Sequence, residues 1–373
     1  MYYILDISTL DKYSSGAKQR FLSIYSNLIK SDSKKNFLII YTTYNDVIEK
    51  FNFPNVKFIK NPISQEHYFK KLISIVYLHF FIIFKIKKIK SIEYFTLPFF
   101  KINKCKTIFT IHDLRKIYFS NFFLNKLFLK LFFKFFLNKA NDIIVVSKSI
   151  KHELKKYFKN LKITVLYNTI DYNFFKKISK NEIIKIKKKY NLPSKFILAV
   201  GHLEKRKNYL NLIKAIKILK NNNEKIKLII IGQKADQSEK INVLINELDL
   251  KNTVKIFSNL NDYEVRCFYK ISKLFVFPSI YEGFGIPILE AMASKKPMVL
   301  SNLDVFREIT EDNSCYFDPN DPLSIANKIK FVLLSKDLQK AMITYGNKRI
   351  LKFTVKKQDR VINKLYNKFS KFS

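Results

Sequence analysis

The sequence predicts a parallel α/β architecture in two Rossmann-like halves, and three observations carry that prediction. Short runs rich in β-branched and aromatic residues recur along the 373 residues, longer stretches with helical periodicity separate them, and a polar, lysine-rich segment closed by Pro193 divides them into two sets. The length suits two domains. With 47% hydrophobic and 27% charged residues each can bury a core, which excludes disordered and fibrous classes.

In the first set, strands are expected at Tyr2–Ile7, Phe37–Thr42, Val56–Ile59, Thr107–Ile111, Ile143–Val146 and Ile163–Leu166. In the second they are expected at Phe196–Val200, Lys227–Ile231, Val254–Phe257, Leu274–Phe277 and Met298–Leu300. This gives domains over 1–170 and 196–355, a linker with a short helix over 171–195, and a last helix over 356–373. The last helix repeats Val361, Ile362, Leu365, Tyr366 and Phe369 at helical spacing.

Ligands of such sheets collect outside the carboxyl ends of the strands, so the strand-to-helix loops are the places to look. Four carry chemistry: Ser14-Ser15-Gly16-Ala17, His112-Asp113, Gly201-His-Leu-Glu-Lys-Arg-Lys-Asn208, and Pro278-Ser-Ile-Tyr-Glu-Gly-Phe-Gly285. The chain has only six glycines, and only seven of its 69 Lys and Arg residues are arginine. Residues that the composition disfavours should persist where geometry or chemistry requires them. Gly16, Gly201, Gly283 and Gly285, with Arg20, Arg115, Arg206 and Arg307, fall in or beside candidate loops.

The net charge of +39 has two explanations. One is a polyanionic partner, nucleic acid or anionic lipid; the other is a codon bias that loads a solvated surface with lysine. Neither a G-x-G-x-x-G fingerprint nor a P-loop is present, which counts against dehydrogenases and P-loop NTPases. Cys105, Cys267 and Cys315 are too widely spaced for a disulfide framework or a C-x-x-C site. No basic, apolar leader follows Met1, so a cytoplasmic location is expected.

The most informative stretch is Phe277-Pro-Ser-Ile-Tyr-Glu-Gly-Phe-Gly-Ile-Pro-Ile-Leu-Glu-Ala-Met-Ala293. Gly283 and Gly285 flank Phe284 just before a helix with Pro287 in its first turn, so free N–H groups and the helix dipole face an incoming anion. Glu282 and Glu290 lie eight residues apart and can face one cavity, as acceptors for sugar or ribose hydroxyls.

This stretch resembles the signature of the retaining glycosyltransferases of family 4, the group 1 transferases with the GT-B fold. Val200-Gly-His-Leu-Glu-Lys-Arg-Lys-Asn208, His112-Asp113, Ile143-Ile-Val-Val-Ser147 and Val165-Leu-Tyr-Asn-Thr-Ile-Asp171 extend the resemblance along nearly the whole chain, most closely to bacterial O-antigen and capsule transferases, mannosyltransferases among them. The resemblance implies two facing domains with an inter-domain cleft and a tail helix that crosses back to the first. It implies sugar transfer from a nucleoside-diphosphate-sugar to a hydroxyl of a glycan or lipid-linked acceptor in surface polysaccharide synthesis, with retained anomeric configuration.

The same resemblance implies the roles of single residues. Arg206 and Lys207 would clamp the diphosphate, Glu290 the ribose, and Glu282 the donor sugar with the backbone of Phe284, Gly285 and Ile286. Gly16 and Gly201 would let loops approach the diphosphate, and His112 would sit over the donor sugar. His202 stands where members often carry an arginine, and Asn168-Thr-Ile-Asp171 replaces N-G-V-D. No D-x-D cluster is present, so neither a metal nor another cofactor is expected, and no nucleic acid. Two alternatives stay open: a nucleotide-sugar epimerase on the same fold, and a non-enzymatic basic nucleic-acid-binding protein.

Two segments suggest a membrane surface. In 122–139, Lys126, Lys130 and Lys134 make a narrow stripe on an otherwise Phe- and Leu-rich helix, which is either buried on several sides or partly immersed in lipid. Leu72–Phe84, too short to span a bilayer, is followed by Lys85, Lys87, Lys88 and Lys90. Peripheral attachment to an anionic leaflet at the inner face of the plasma membrane is the corresponding expectation.

Overall fold

Parallel strands buried on both faces read as near-continuous apolar runs, and β8 (Ile197–Val200), β9 (Leu228–Ile231) and β11 (Leu274–Phe277) are such runs in this chain. The structure, a computed structural model, describes residues 1–370 except 9–14, 43–48, 64–67, 96–100, 119–129 and 132. It forms two units, Met1–Thr169 with Val355–Ser373, and Ile170–Thr354.

The first unit holds β1 (Tyr2–Asp6), β2 (Asn36–Tyr41), β3 (Val56–Lys60), β4 (Ile89–Tyr94), β5 (Lys106–Ile111), β6 (Asp142–Val145) and β7 (Ile163–Val165). All pair in parallel, in the order β3-β2-β1-β4-β5-β6-β7. β4 falls outside the expected strands although it is the middle one. Its residues Ile-Lys-Ser-Ile-Glu-Tyr look like the tail of a basic surface stretch, yet Ser91 and Glu93 are fully buried. The Glu93 carboxylate accepts hydroxyls from Thr110 at 2.5 Å, Tyr366 at 2.6 Å and Tyr25, so its burial is compensated.

The first helical stretch runs Ser15–Arg20, a single π turn Phe21–Tyr25, and Ser26–Ser31. The π turn buries Phe21, Ile24 and Tyr25 together. Arg20 is also buried and donates Nη1 to the Leu166 carbonyl (2.7 Å) and Asn168 Oδ1 (2.8 Å). Helix Val355–Ser370 places Ile362, Leu365, Tyr366 and Phe369 in one core with Tyr3, Phe21, Phe37 and Ile108.

Helix Tyr68–Lys85 has two contrasting faces. Ser74, Ile75, Leu78 and Ile82 are buried, while Ile73, Val76, Tyr77, Phe80, Ile83 and Phe84 are exposed. Of the lysine-striped segment 122–139, residues 122–129 and 132 lie outside the described residues, as does Ser14 of the first loop. Residues 133–137 are helical, with Phe133, Phe136 and Leu137 buried and Phe135 exposed. Both readings of that segment, core and surface, are therefore represented in its described part. No helix among the described residues is long and apolar enough to cross a membrane.

The second unit orders its strands β10-β9-β8-β11-β12-β13, all parallel, with β10 (Val254–Phe257), β12 (Met298–Ser301) and β13 (Cys315–Phe317) completing the sheet. β13, three residues long, falls outside the expected strands. Residues 171–195, expected as a linker, pack into this unit. Helix Lys180–Lys189 starts in a Ser179–Glu182 capping box, and Lys189 Nζ and Tyr190 Oη reach Glu264 Oε1 at 2.7 and 2.5 Å. Phe174 meets the Tyr269 ring edge-on at 6.0 Å.

In both sheets the strand order reverses beside the first strand, between β1 and β4 and between β8 and β11. That reversal leaves the connections on opposite faces and opens a crevice at the carboxyl end, the usual ligand position in such sheets.

Candidate active site

The loops that follow β8 and β11 flank the reversal in the second unit. The first begins at Gly201 with φ +149°, and a Cβ there would press on the Lys207 side chain and the Tyr209 hydroxyl. It then makes one 3-10 turn, Lys205–Lys207, and Asn208 follows in the left-handed conformation. The Asn208 amide ties this loop to its neighbours by donating to the Pro278 (3.0 Å) and Pro319 (2.6 Å) carbonyls. Ile280 N–H donates to the Arg206 carbonyl at 2.8 Å, so the two site loops are joined backbone to backbone.

This framing brings Arg206, Lys207 and Glu282 together. Lys207 Nζ lies 2.5 Å and Arg206 Nη1 2.7 Å from Glu282 Oε1, and Ser279 Oγ donates to the same oxygen at 2.9 Å. Arg206 Nε is also held by Glu204 at 2.6 Å. Lys207 lies 4.8 Å from the Phe277 ring centroid. Burial depresses the Lys207 ammonium from its ordinary value, and Glu282 opposes that shift. Burial would raise the Glu282 carboxyl, but the charges of Lys207 and Arg206 outweigh it and hold it below the ordinary glutamate value.

The loop after β11 ends at Gly285, φ +123°, where a Cβ would meet Phe306 and Ile288 at 3.1 and 3.2 Å. Helix Ile286–Ala293 starts there with Pro287 in its first turn. Phe284 is buried, with its ring edge-on to Phe353 at 5.8 Å. Glu290 lies on this helix and accepts the Tyr269 hydroxyl at Oε2, 2.8 Å. Its carboxyl is raised to about 7, by burial first and then by Asp262 and Asp171, while Tyr269 and Lys207 oppose the rise.

In the first unit, Gly16 is the second residue of helix Ser15–Arg20 after β1, and His112 directly follows β5. His112 stacks on Phe95 with centroids 6.5 Å apart, and its Nε2 is shielded from solvent without a hydrogen-bond partner in the described structure. Burial, reinforced by Arg20 and Arg115, lowers its imidazole to about 3, so it is neutral at physiological pH. Two singled-out arginines are engaged locally: Arg115 with Asp113 (3.6 Å), and Arg307 with Asn302 (2.7 Å) and Asp312. Among the described residues no three His, Cys, Asp or Glu side chains group as metal ligands do.

Sequence reasoning passed over Gly232, Ser279 and Tyr269. A Cβ at Gly232 would sit 1.9 Å from the Gly201 carbonyl oxygen, so this glycine lets the β9 connection pass beneath the site loop. Its scarcity in this composition was the available signal. Ser279 carries a weak one, standing three residues before Glu282, whereas Tyr269 carries none, because the fold alone sets it beside Glu290.

The chain is similar to known proteins along most of its length. The sequence model of the family described as Glycosyl transferases group 1 matches residues 180–349, and that of Glycosyltransferase Family 4 matches residues 90–174. The O-antigen chain mannosyltransferase RfbU of Salmonella typhimurium is 27% identical over 88% of this chain and 90% of its own length. A glycosyltransferase from Rickettsia africae superposes with a TM-score of 0.76, at 19% identity, over 100% of this chain and 99% of its own. Anabaena HepE, solved in complex with UDP and glucose, gives 0.76 at 16% identity over 99% and 100%. The fold is that of the GT-B enzymes, one family model matches the later part of the first unit and the other most of the second, and the chain belongs to the group 1, family 4 glycosyltransferases.

Proposed function

We propose that the enzyme transfers a sugar, with mannose as the first candidate, from a nucleoside diphosphate to a hydroxyl of a glycan or lipid-linked acceptor in surface polysaccharide synthesis, with retention at the anomeric carbon. The observation that carries this reading is the Arg206–Lys207–Glu282 group at the strand reversal, where two cations share a buried carboxylate oxygen. A diphosphate is the stronger anion and would take the cations, freeing Glu282 for donor-sugar hydroxyls. As the bond from C1 to the diphosphate oxygen breaks, charge gathers on the leaving phosphate, and Arg206 and Lys207 meet it without a metal ion. Glu290 accepts the ribose hydroxyls, and the backbone at Phe284, Gly285 and Ile286 serves the donor. Gly16 and Gly201 let the loops come close. His112, neutral by its surroundings, is suited to hydrogen bonding on the sugar rather than to carrying charge.

The test is a thermal-shift panel of nucleoside diphosphates and their sugars, followed by transfer with the product anomer read by NMR. One nucleotide series should stabilise the protein, by about 2.7 kcal/mol at a hundredfold excess over Kd. No stabilisation by any of them, or an inverted product, overturns the reading; turnover without an acceptor would indicate epimerisation instead.

We also propose that the first unit lies peripherally on an anionic leaflet through helix Tyr68–Lys85. Its exposed stripe Ile73, Val76, Tyr77, Phe80, Ile83 and Phe84 runs into exposed Lys85, Lys87 and Lys88, the pairing that favours such surfaces. Co-sedimentation with anionic vesicles at low salt, lost at high salt and absent with neutral vesicles, is expected. Equal binding to neutral vesicles, or none to either, rejects it.

A further inference from the structure

One oxygen of Glu290 is already committed. Tyr269, buried on helix Asp262–Ile271, donates its hydroxyl to Glu290 Oε2 at 2.8 Å and also lies 3.4 Å from the Pro287 carbonyl oxygen. Its ring is clamped edge-on by Phe174 at 6.0 Å and tilted against Phe275 at 5.5 Å. The hydroxyl therefore has a fixed position, while Glu290 Oε1 receives no hydrogen bond among the described residues.

We propose that Tyr269 is a positioning residue for nucleotide recognition, fixing the Glu290 carboxylate so that its second oxygen is offered to the ribose hydroxyls. The proposal rests on the ribose reading of Glu290 given above. A carboxylate held at one oxygen has lost most of its rotational freedom before the ligand arrives, which lowers the ordering cost of binding. Donation to the carboxylate also favours its ionised form, the form that accepts two hydroxyls.

The charged surroundings of Glu290 set the sign of the effect. Asp262, on the same helix as Tyr269, and Asp171, ahead of the turn Tyr172–Phe175, both disfavour ionisation, and Lys207 favours it. Helix Lys336–Arg349 packs on Met292 through Gly346, and Arg349 and Lys352 are engaged with Glu311 at 2.6 and 3.4 Å. With the carboxyl at about 7, ligand affinity should climb as pH rises through 7 and then level off. Removing the Tyr269 hydroxyl takes away a stabiliser of the anion, so the midpoint must move upward.

The experiment is calorimetric titration of the full chain with GDP and with UDP from pH 6 to 9, for the parent, Tyr269→Phe and Glu290→Gln. Tyr269→Phe should bind roughly tenfold more weakly than the parent at pH 7, where both ionisation and fixed geometry are impaired, and still roughly threefold more weakly at pH 9, where only the geometry is, consistent with losing one hydrogen bond to a charged group. Parental affinity at pH 9 would leave no positioning role. Weakening by the same factor at every pH, as a purely structural defect would give, or an unmoved midpoint overturns the proposal. Glu290→Gln should bind weakly with a flat profile. If it binds like the parent, the ribose reading is what fails; if it is weak and flat while Tyr269→Phe keeps the parental midpoint, only the positioning role fails. Should Tyr269→Phe not fold, Phe174→Leu keeps the hydroxyl but frees the ring, and must shift the midpoint the same way by less; no shift overturns the proposal.

Discussion

Lys207 and Glu282 stand 75 positions apart in the chain and 2.5 Å apart in the fold. The parallel pairing of β8 with β11 is what joins them, since each residue lies on the loop that leaves one of those two neighbouring strands. In the resting site the lysine is neutralised by the carboxylate, so its charge is held ready in a buried place without standing unpaired.

Lys207→Ala should accordingly lower kcat by on the order of 10²-fold, the usual cost of removing one preorganised contact to a developing charge. Arg206 still faces Glu282, so the fold should survive. Initial rates with saturating donor decide it, and parental turnover would remove Lys207 from the diphosphate clamp.

Glu290→Gln should show opposite effects on function and stability. A carboxyl raised to about 7 in the folded protein binds its proton more tightly there than in the unfolded chain. Its ionisation therefore disfavours the native state as pH rises through 7, and the disadvantage vanishes toward pH 4 to 5. Without nucleotide, the variant should be more stable than the parent at pH 8.5, by on the order of 1 kcal/mol for a partly exposed group, and similar at pH 5. Urea titrations at the two pH values measure the difference; a gain independent of pH contradicts it.

Gly232→Ala should be among the most damaging single changes in the second unit. The new methyl would collide with backbone, the Gly201 carbonyl at 1.9 Å, rather than with a side chain that could turn aside. Destabilisation of about 2 to 4 kcal/mol is expected, with weaker nucleotide binding because the colliding strand end begins the Arg206–Lys207 loop. A Tm within a degree of the parent's would mean the connection relaxes freely.

Tyr366→Phe should destabilise the first unit by about 1 to 3 kcal/mol, because Glu93 keeps its burial and loses one of its hydroxyl donors. The companion Thr110→Val should act on the same carboxylate. The double variant should then deviate from the sum of the two single effects. Additivity, measured by urea denaturation, would show that the donors act independently.

Much of the fold could be read from the chain, for a physical reason. Eleven of the strands are legible, most of them because strands covered on both faces leave uninterrupted apolar runs. β4 is not legible because it carries buried polar residues, Ser91 and Glu93, and the hydroxyls that satisfy Glu93 come from β5, the π turn and helix Val355–Ser370, none of which is adjacent in sequence. The site was legible where backbone geometry restricts residue type, as at Gly201 and Gly285. Tyr269 is not, since a tyrosine on the buried face of an amphipathic helix looks like ordinary packing until the fold sets Glu290 beside it.

The helix Val355–Ser370 follows the whole second unit in the chain, yet it supplies Ile362, Leu365, Tyr366 and Phe369 to the core of the first. On the ribosome, the unit begun earliest is thus completed latest: residues 1–169 emerge with part of their core and the Glu93 carboxylate uncovered, while residues 170–354 are synthesised and able to close on their own. Translation adds about 5 to 20 residues each second, so that interval lasts on the order of ten seconds or more. Through it an unfinished apolar surface stands open, the state in which aggregation and chaperone binding compete with folding.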